Sequence, residues 1–348
     1  MLSTLTFSLL TFACTSSPFA KNDIDFTLEL KDTLNYTNPV FEPVLADPSV
    51  VKVGNEFFAY GTEDNWGDEG GYHLVSVLKS TDLVHWELLG NSLDKKPDWK
   101  DRGGIWAPDV TQVGEQFYMY YSFSTWGDPN PGIGLAIADK PEGPFVDQGK
   151  VFDSDEIGVA NSIDPFFMEK DGKKYLIWGS FHGLYLNELT ADGKKLIGDK
   201  IQLAGNHLEA AYVYEKGGYY YLFGSAGTCC EGVNSTYKVL VGRSEHLSGP
   251  YLDQEGNSLM DSDSGNLVVG ANKGDIGYAG PGHNAEIITD KAGNDWLLYH
   301  GMAKKRPKLA NGTNRRVLLL DKIIWSDGWP SIEGKQPSFS SGPSPVLE

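Results

Sequence analysis

The stretch His207-Leu208-Glu209-Ala210-Ala211-Tyr212-Val213-Tyr214-Glu215-Lys216-Gly217-Gly218-Tyr219-Tyr220-Tyr221-Leu222-Phe223-Gly224-Ser225 decides the fold. Two runs of aromatic and β-branched residues flank a Gly-Gly turn, which is the pattern of a β-hairpin. Glu209 stands where the first strand begins, so its carboxylate belongs to the end of a sheet rather than to its surface.

Four other stretches repeat this layout: Ala46–Gly61, Trp106–Ser122, Ile163–Ser180 and Gly282–Gly301. Their leading polar residues are Asp47, Asp109, Asp164 and His283, and Glu209 makes a fifth. Further short strands are expected at Leu74–Lys79, Gly134–Ala138 and Val239–Arg243, each followed by turn residues. A unit of about 45 to 75 residues with four or so short strands is the mark of a radial blade architecture. Helical periodicity is almost absent, and 41 Gly and 18 Pro punctuate the chain too often for long helices. The expected fold is therefore all-β, a five-bladed β-propeller. A sandwich or jelly roll also has short strands, but it leaves the polar residue ahead of every unit without a reason.

Radial symmetry turns that repeat into a site. The innermost strands of a propeller line its axis in one sense, so Asp47, Asp109, Asp164, Glu209 and His283 are expected to converge at one mouth. Carboxylates gathered there repel one another and separate in pKa, which lets an acid and a base coexist at one pH. With an aromatic platform beside them, they are the minimal equipment for cleaving a glycosidic bond.

Composition narrows the partners. The 348 residues are 40% hydrophobic and 12% aromatic, enough for a large core, and the net charge of -18 argues against nucleic acid or an anionic membrane surface. A neutral partner fits better. Residues 1–20 are read as a signal peptide or a lipoprotein signal, because the apolar run Leu2–Ala13 is too short to span a bilayer. Leu10-Thr11-Phe12-Ala13-Cys14 is loosely similar to a bacterial lipobox; lipidation of Cys14 and simple cleavage near Ala20 both stand as readings. A lipid at Cys14 is the one route to a membrane. Residues 21–348 are expected to form a single catalytic propeller. Cys229 and Cys230 are adjacent and lack His partners, so they make neither a disulfide framework nor a zinc site, and two buried or half-buried thiols are expected.

From about Asn38 to Gly334 the chain resembles glycoside hydrolase family 43, and within it the endo-acting α-1,5-L-arabinanases. The motifs that carry the resemblance are Ala46-Asp47-Pro48-Ser49, Trp106-Ala107-Pro108-Asp109, Ser162-Ile163-Asp164-Pro165, Leu208-Glu209-Ala210-Ala211-Tyr212 and Gly280-Pro281-Gly282-His283-Asn284. Tyr219–Ser225, Cys229–Tyr237, Val241-Gly242-Arg243-Ser244 and Gly249-Pro250-Tyr251 look like the arabinanase branch in particular, and Trp325–Pro330 completes the resemblance. The resemblance implies an exported inverting hydrolase of a neutral plant cell-wall polysaccharide. Asp47 is then the general base, Glu209 the general acid and Asp164 the neighbour that orients Glu209 and raises its pKa.

It also implies a calcium ion, held mostly by water, at His283. A hydrogen-bonded channel histidine is the other reading of that residue, since imidazole is an unusual calcium ligand. Trp106 is expected as a sugar platform or as packing between blades, and Asp109 as part of the cleft. Arg316, next to Arg315, is expected at substrate hydroxyls, at the base or on a strand edge. Three departures bear on the substrate: Ala46 where His is common, Ala211 where Pro is usual, and Glu231 where Arg is common. The rival readings are an exo-acting α-L-arabinofuranosidase or β-xylosidase of the same fold and, outside enzymology, a carbohydrate-binding propeller.

Overall fold

A computed structural model describes residues 35–347. The expected signal over 1–20, Cys14 and the start of the expected domain at 21 lie outside the described residues. Five antiparallel sheets follow one another along the chain, each with its strands laid side by side in chain order. The first blade comprises Ser49–Val53, Glu56–Tyr60, Ser76–Ser80 and Glu87–Asn91. The second comprises Gly104–Val113, Gln116–Ser124, Gly132–Ala138 and Val146–Asp153, and the third Phe166–Lys170, Lys173–Trp178, Leu184–Leu189 and Leu196–Ala204. The fourth is Glu209–Lys216, Tyr219–Ala226, Lys238–Ser244 and Asn266–Val269. The fifth is Tyr278–Gly282, Asp295–Ala303, Arg316–Ser326 and Trp329–Ile332, with Ile288–Thr289 pairing on Asp295–Ala303. This is the expected five-bladed propeller. The opening hairpin turns through Gly217 (φ 60°) and Gly218 (φ 83°), a pair of left-handed positions that only glycine takes without strain.

The core lies in five layers between blades. Successive residues of a strand face opposite sides, so each second strand serves two layers. Phe57 packs toward the fifth blade with Leu298 and Leu320, and Phe58 toward the second with Val110 and Met119. Tyr120 and Leu176 fill the layer between blades two and three, Ile177 and Leu222 the next, and Phe223 and Leu297 the last. Burial of both faces explains why these strands read as nearly continuous apolar runs instead of alternating ones. The outermost strands have no further layer to cover them, and Glu87–Asn91 and Leu196–Ala204 are mostly exposed.

The ring closes on the N-terminal segment. Val40 N–H donates to Leu318 O (3.0 Å), Leu318 N–H to Phe41 O (3.0 Å) and Leu45 N–H to Arg316 O (2.8 Å). Asn38 uses its side-chain amide as a peptide would, donating to Leu320 O (3.0 Å) and accepting from Leu320 N–H (2.8 Å). Asn35–Tyr36 pairs with Gly342–Pro343, so both ends of the described chain meet at the fifth blade.

Candidate active site

Each inner strand is preceded or interrupted by one non-glycine residue in the left-handed region: Asp47 (φ 51°), Ala107 (42°), Asp164 (57°), Ala210 (55°) and His283 (46°). The pairing register slips there in blades two and four, and in blade five it slips just ahead of His283, between Ala279 and Gly282. Such a bulge re-aims side chains at a strand end, and Asp and His tolerate the conformation better than most residues. The backbone N–H of these residues reaches across to the blade before it. Ala107 N–H donates to Thr62 Oγ1 (2.9 Å), Asp164 N–H to Ser122 Oγ (2.9 Å), His283 N–H to Ser225 Oγ (2.9 Å) and Asp47 N–H to His300 Nδ1 (3.0 Å). In the fourth blade Ala210 N–H donates to Asp164 Oδ2 (3.2 Å). The peptide therefore carries the inter-blade bond and leaves the side chains of Asp47 and His283 for other work, whereas one oxygen of Asp164 is itself the acceptor for the fourth blade.

Asp47 is held as an anion. Arg316 Nη1 donates to both of its carboxylate oxygens (3.0 Å each), and Thr62 Oγ1 donates to Oδ2 (2.6 Å). His283 Nδ1 lies 3.4 Å from Oδ1. Burial pushes the carboxyl up, but the guanidinium, the two imidazoles and the hydroxyl outweigh it and hold Asp47 well below the usual carboxylate range. Burial brings His300 down to about 3, so its ring is neutral; Nδ1 accepts from Asp47 N–H, which leaves the ring proton on Nε2.

Glu209 is treated in the opposite way. Burial pushes it up to about 7, against hydrogen bonds from Tyr237 Oη (2.6 Å) and Ser180 Oγ (2.7 Å) that favour the ionised form. Asp164 is buried beside it and raised well above its ordinary value, by burial first and then by the charges of Glu209 and Asp47. Close carboxyls in one dry pocket favour a shared proton at neutral pH. Asp47, Asp164 and Glu209 thus come together as expected, and Ser180, Tyr237, Thr62 and His300 join them.

Asp109 does not join them, which corrects the expectation of five matched positions. The left-handed residue of the second blade is Ala107, and Asp109 lies two residues further along the strand. There it belongs to a second ring, in which side chains accept backbone N–H groups of the next blade. Phe167 N–H donates to Asp109 Oδ2 (2.7 Å), Val110 N–H to Ser49 Oγ (3.0 Å), Ile287 N–H to Tyr212 Oη (2.9 Å) and Val50 N–H to Glu286 Oε2 (2.5 Å). Asp109 and Glu286 are a second set of buried carboxyls, both raised by burial, with Asp109 raised further by the charge of Glu286. Sequence reading passed over Glu286, whose only local signal is a lone acid just ahead of the apolar pair Ile287-Ile288.

Of the places expected for Arg316, the structure shows the one at the base: it meets the carboxylate of Asp47, and it also lies 4.0 Å from Asp64. Arg315 turns away to Glu69, outside this group. Trp106 is half-buried beside Ala107, its ring 5.9 Å from that of Trp126. Of the three departures, Ala46 and Ala211 are buried in apolar clusters and only Glu231 is exposed on a loop.

At His283 the donors nearest to hand are one imidazole and a carboxylate already held by Arg316. Among the described residues no group of three or more His, Cys, Asp or Glu gathers to hold a metal, and the residues present do not form a calcium cage. Cys229 and Cys230, expected as thiols, are joined in a disulfide. Their loop folds back on itself where Thr236 N–H and Tyr237 N–H both donate to Thr228 O (3.1 Å), and it leads into Tyr237, which holds Glu209.

Comparison with known proteins gives the family. Residues 36–330 match the family described as glycosyl hydrolases family 43. The extracellular endo-alpha-(1->5)-L-arabinanase 1 of Bacillus subtilis is 33% identical over 302 residues, spanning 83% of this chain and 87% of its own. The extracellular exo-alpha-(1->5)-L-arabinofuranosidase ArbA of Cellvibrio japonicus is 29% identical over 320 residues, spanning 83% and 86%. A solved alpha-L-arabinanase of Cellvibrio cellulosa, complexed with arabinohexaose, superposes with a TM-score of 0.72 at 28% identity, covering 84% of this chain and 97% of that one.

Proposed function

The chain belongs to glycosyl hydrolases family 43 and is a glycoside hydrolase, and on that footing we propose that it cleaves α-1,5-linked L-arabinan or arabino-oligosaccharides by a single inverting displacement. Asp47 acts as the base that draws a proton from the attacking water, and Glu209 as the acid that gives its proton to the leaving oxygen. Asp164 keeps that proton available. The observation that supports these roles is the opposite treatment of two carboxyls at one mouth: Asp47 is anionic against Arg316, while Glu209 is buried and raised to about 7. A pure binder has no need of that separation. Ser180 and Tyr237 hold both oxygens of Glu209, so the acid is oriented before the sugar arrives. Calcium enters the proposal only as a water-held ion beside His283, and no step of the reaction passes through it.

The names of the relatives support arabinan as the polymer and export of the enzyme, and the net charge of -18 is compatible with a neutral glycan. Among the loops joining second and third strands the shortest is 179–183 of the third blade, against 61–75, 125–131, 227–237 and 304–315. A wall left low on one side favours an internal attack on a long chain. Because ArbA is an exo-acting relative at similar identity, products separate the two modes. Linear arabinan should yield a ladder of short oligosaccharides whose new reducing ends appear with inverted anomeric configuration by proton NMR. Arabinose as the sole product sinks the endo mode, and retention of configuration sinks the mechanism.

A further inference from the structure

We propose that Asn161 is a positioning residue for the reaction: its side-chain amide fixes the direction of the Ser180 hydroxyl and through it holds Glu209. The inference rests on the reading of Glu209 as the acid. Asn161 Nδ2 donates to Ser180 Oγ (2.8 Å) and to Ser180 O (3.3 Å), and Ser180 Oγ donates to Glu209 Oε2 (2.7 Å). A carbonyl oxygen can only accept, so the side of the amide that meets Ser180 is its NH2 group. The hydroxyl beside that carbonyl therefore receives a hydrogen bond from Asn161 and has its own single proton to give to the carboxyl.

The fold holds this amide in place. Asn161 lies between the second blade and the third, three residues ahead of Asp164, at φ 52°. Asparagine takes the left-handed conformation with less strain than most residues. Its carbonyl accepts from Ile163 N–H (3.1 Å), and the residue between them is pinned at both ends: Ser162 N–H donates to Ser154 Oγ (3.0 Å) and Ser162 Oγ to Val159 O (2.8 Å). On the other side Ser180 pairs with Glu209 in a backbone bridge, and Phe181 N–H donates to Leu208 O (3.0 Å). One short segment thus carries both Asp164, which binds the Ala210 peptide, and Asn161, which binds the partner of Glu209.

Direction matters because a hydroxyl can serve a carboxyl in two ways. As a donor it favours the ionised form; as an acceptor it takes hold of the proton that the leaving oxygen needs. Asn161 selects the donor role. The other charged and titratable groups that face Glu209 are Asp164 of the third blade, Asp47 of the first, Arg316 of the fifth and Tyr237 of its own, with His300 stacked behind Tyr237. Among the described residues none of these bonds to Asn161, so its amide reaches Glu209 by way of Ser180.

The test titrates the Glu209 carboxyl by carbon-13 NMR, its signal assigned with Glu209→Gln, alongside the pH profile of kcat/KM on linear arabinan. Asn161→Asp keeps the shape and tolerates the left-handed backbone, but it puts an acceptor where the donor stood, so the Ser180 proton turns to it. The Glu209 midpoint, about 7 in the wild type, should rise by about one unit, and the alkaline limb should rise with it. Asn161→Ala brings no charge of its own and should raise the midpoint by about half a unit, and Ser180→Ala by about one. Once Ser180→Ala is in place, Asn161→Ala should add nothing. A midpoint unmoved in both Asn161 variants, whatever the loss of rate, overturns the role, and so does the same shift with and without the Ser180 hydroxyl. If the midpoint moves while the alkaline limb stays, Asn161 keeps its hold on Glu209 and the reading of Glu209 as the acid is what fails.

Discussion

Two rings of inter-blade hydrogen bonds lie a few residues apart along the same inner strands, and they spend their polar groups differently. In the first, peptide N–H groups of Asp47, Ala107, Asp164 and His283 bind side chains that project from the preceding blade's second strand or the loop after it. In the second, the side chains of Ser49, Asp109, Tyr212 and Glu286 are themselves the acceptors. Asp47 in the first ring keeps its carboxylate for chemistry and Asp164 gives one oxygen to the Ala210 peptide, whereas Asp109 in the second ring has committed its carboxylate to holding the next blade. The first ring pays for this freedom in backbone strain, on the order of 1–3 kcal/mol for a non-glycine residue held in the left-handed region. Strain collects where the carboxyls converge, and satisfied acceptors collect one level deeper.

Replacing one carboxylate in each ring tests the contrast most strongly. Glu209→Ala should lower kcat by roughly 10³-fold or more at nearly unchanged melting temperature. Asp109→Ala should do the reverse, costing about 1–3 kcal/mol of stability by stranding the Phe167 N–H, with kcat of the folded enzyme falling less than tenfold. Matching kinetic losses would erase the distinction.

Next in size is Arg316→Ala. Without the guanidinium, burial is left to raise Asp47, so the acidic limb of the kcat/KM profile should climb toward the ordinary Asp value of about 4 or beyond. A limb that stays in place would mean that Arg316 does not set the charge of the base.

The alkaline limb belongs to Glu209 and is expected near its value of about 7. Asp164→Asn removes a neighbouring carboxylate, and the limb should move to lower pH by about one unit. If it does not move, Asp164 positions the Ala210 peptide without tuning the acid.

The smallest effect concerns stability in the second ring. Asp109 and Glu286 are raised in the folded protein, so between the unfolded carboxyl range near ~4 and their raised values the native state binds more protons than the unfolded one, and stability falls as pH rises. Glu286→Gln keeps an acceptor for Val50 N–H and should flatten that decline in chemical denaturation measured across pH. An unchanged slope would show that the pair carries no extra proton.

Much of this was legible in local pattern. The Gly217-Gly218 hairpin, the apolar pairs such as Phe57-Phe58 and Leu222-Phe223, and the recurrence of a polar residue before each unit all follow from turn chemistry and strand periodicity, which need only neighbouring residues. Asp47, Asp164 and Glu209 were found in the same way. Asp109 was misplaced because a count along the sequence does not see the left-handed residue that resets the register, at Ala107 in the second blade and at Asp47 in the first. Glu286 and His300 gave little sign of themselves, since each matters through a partner in the neighbouring blade.

By itself, then, the sequence determined the blades, their number and the carboxyls brought to the mouth, because these depend on repeated short-range patterns. Only the tertiary structure decided which carboxyl is anionic, which keeps a proton and which is consumed as a structural acceptor. Those outcomes turn on burial and on hydrogen bonds between residues far apart in the chain, such as Arg316 on Asp47 and Tyr237 on Glu209. No local pattern encodes which group closes a contact from the neighbouring blade.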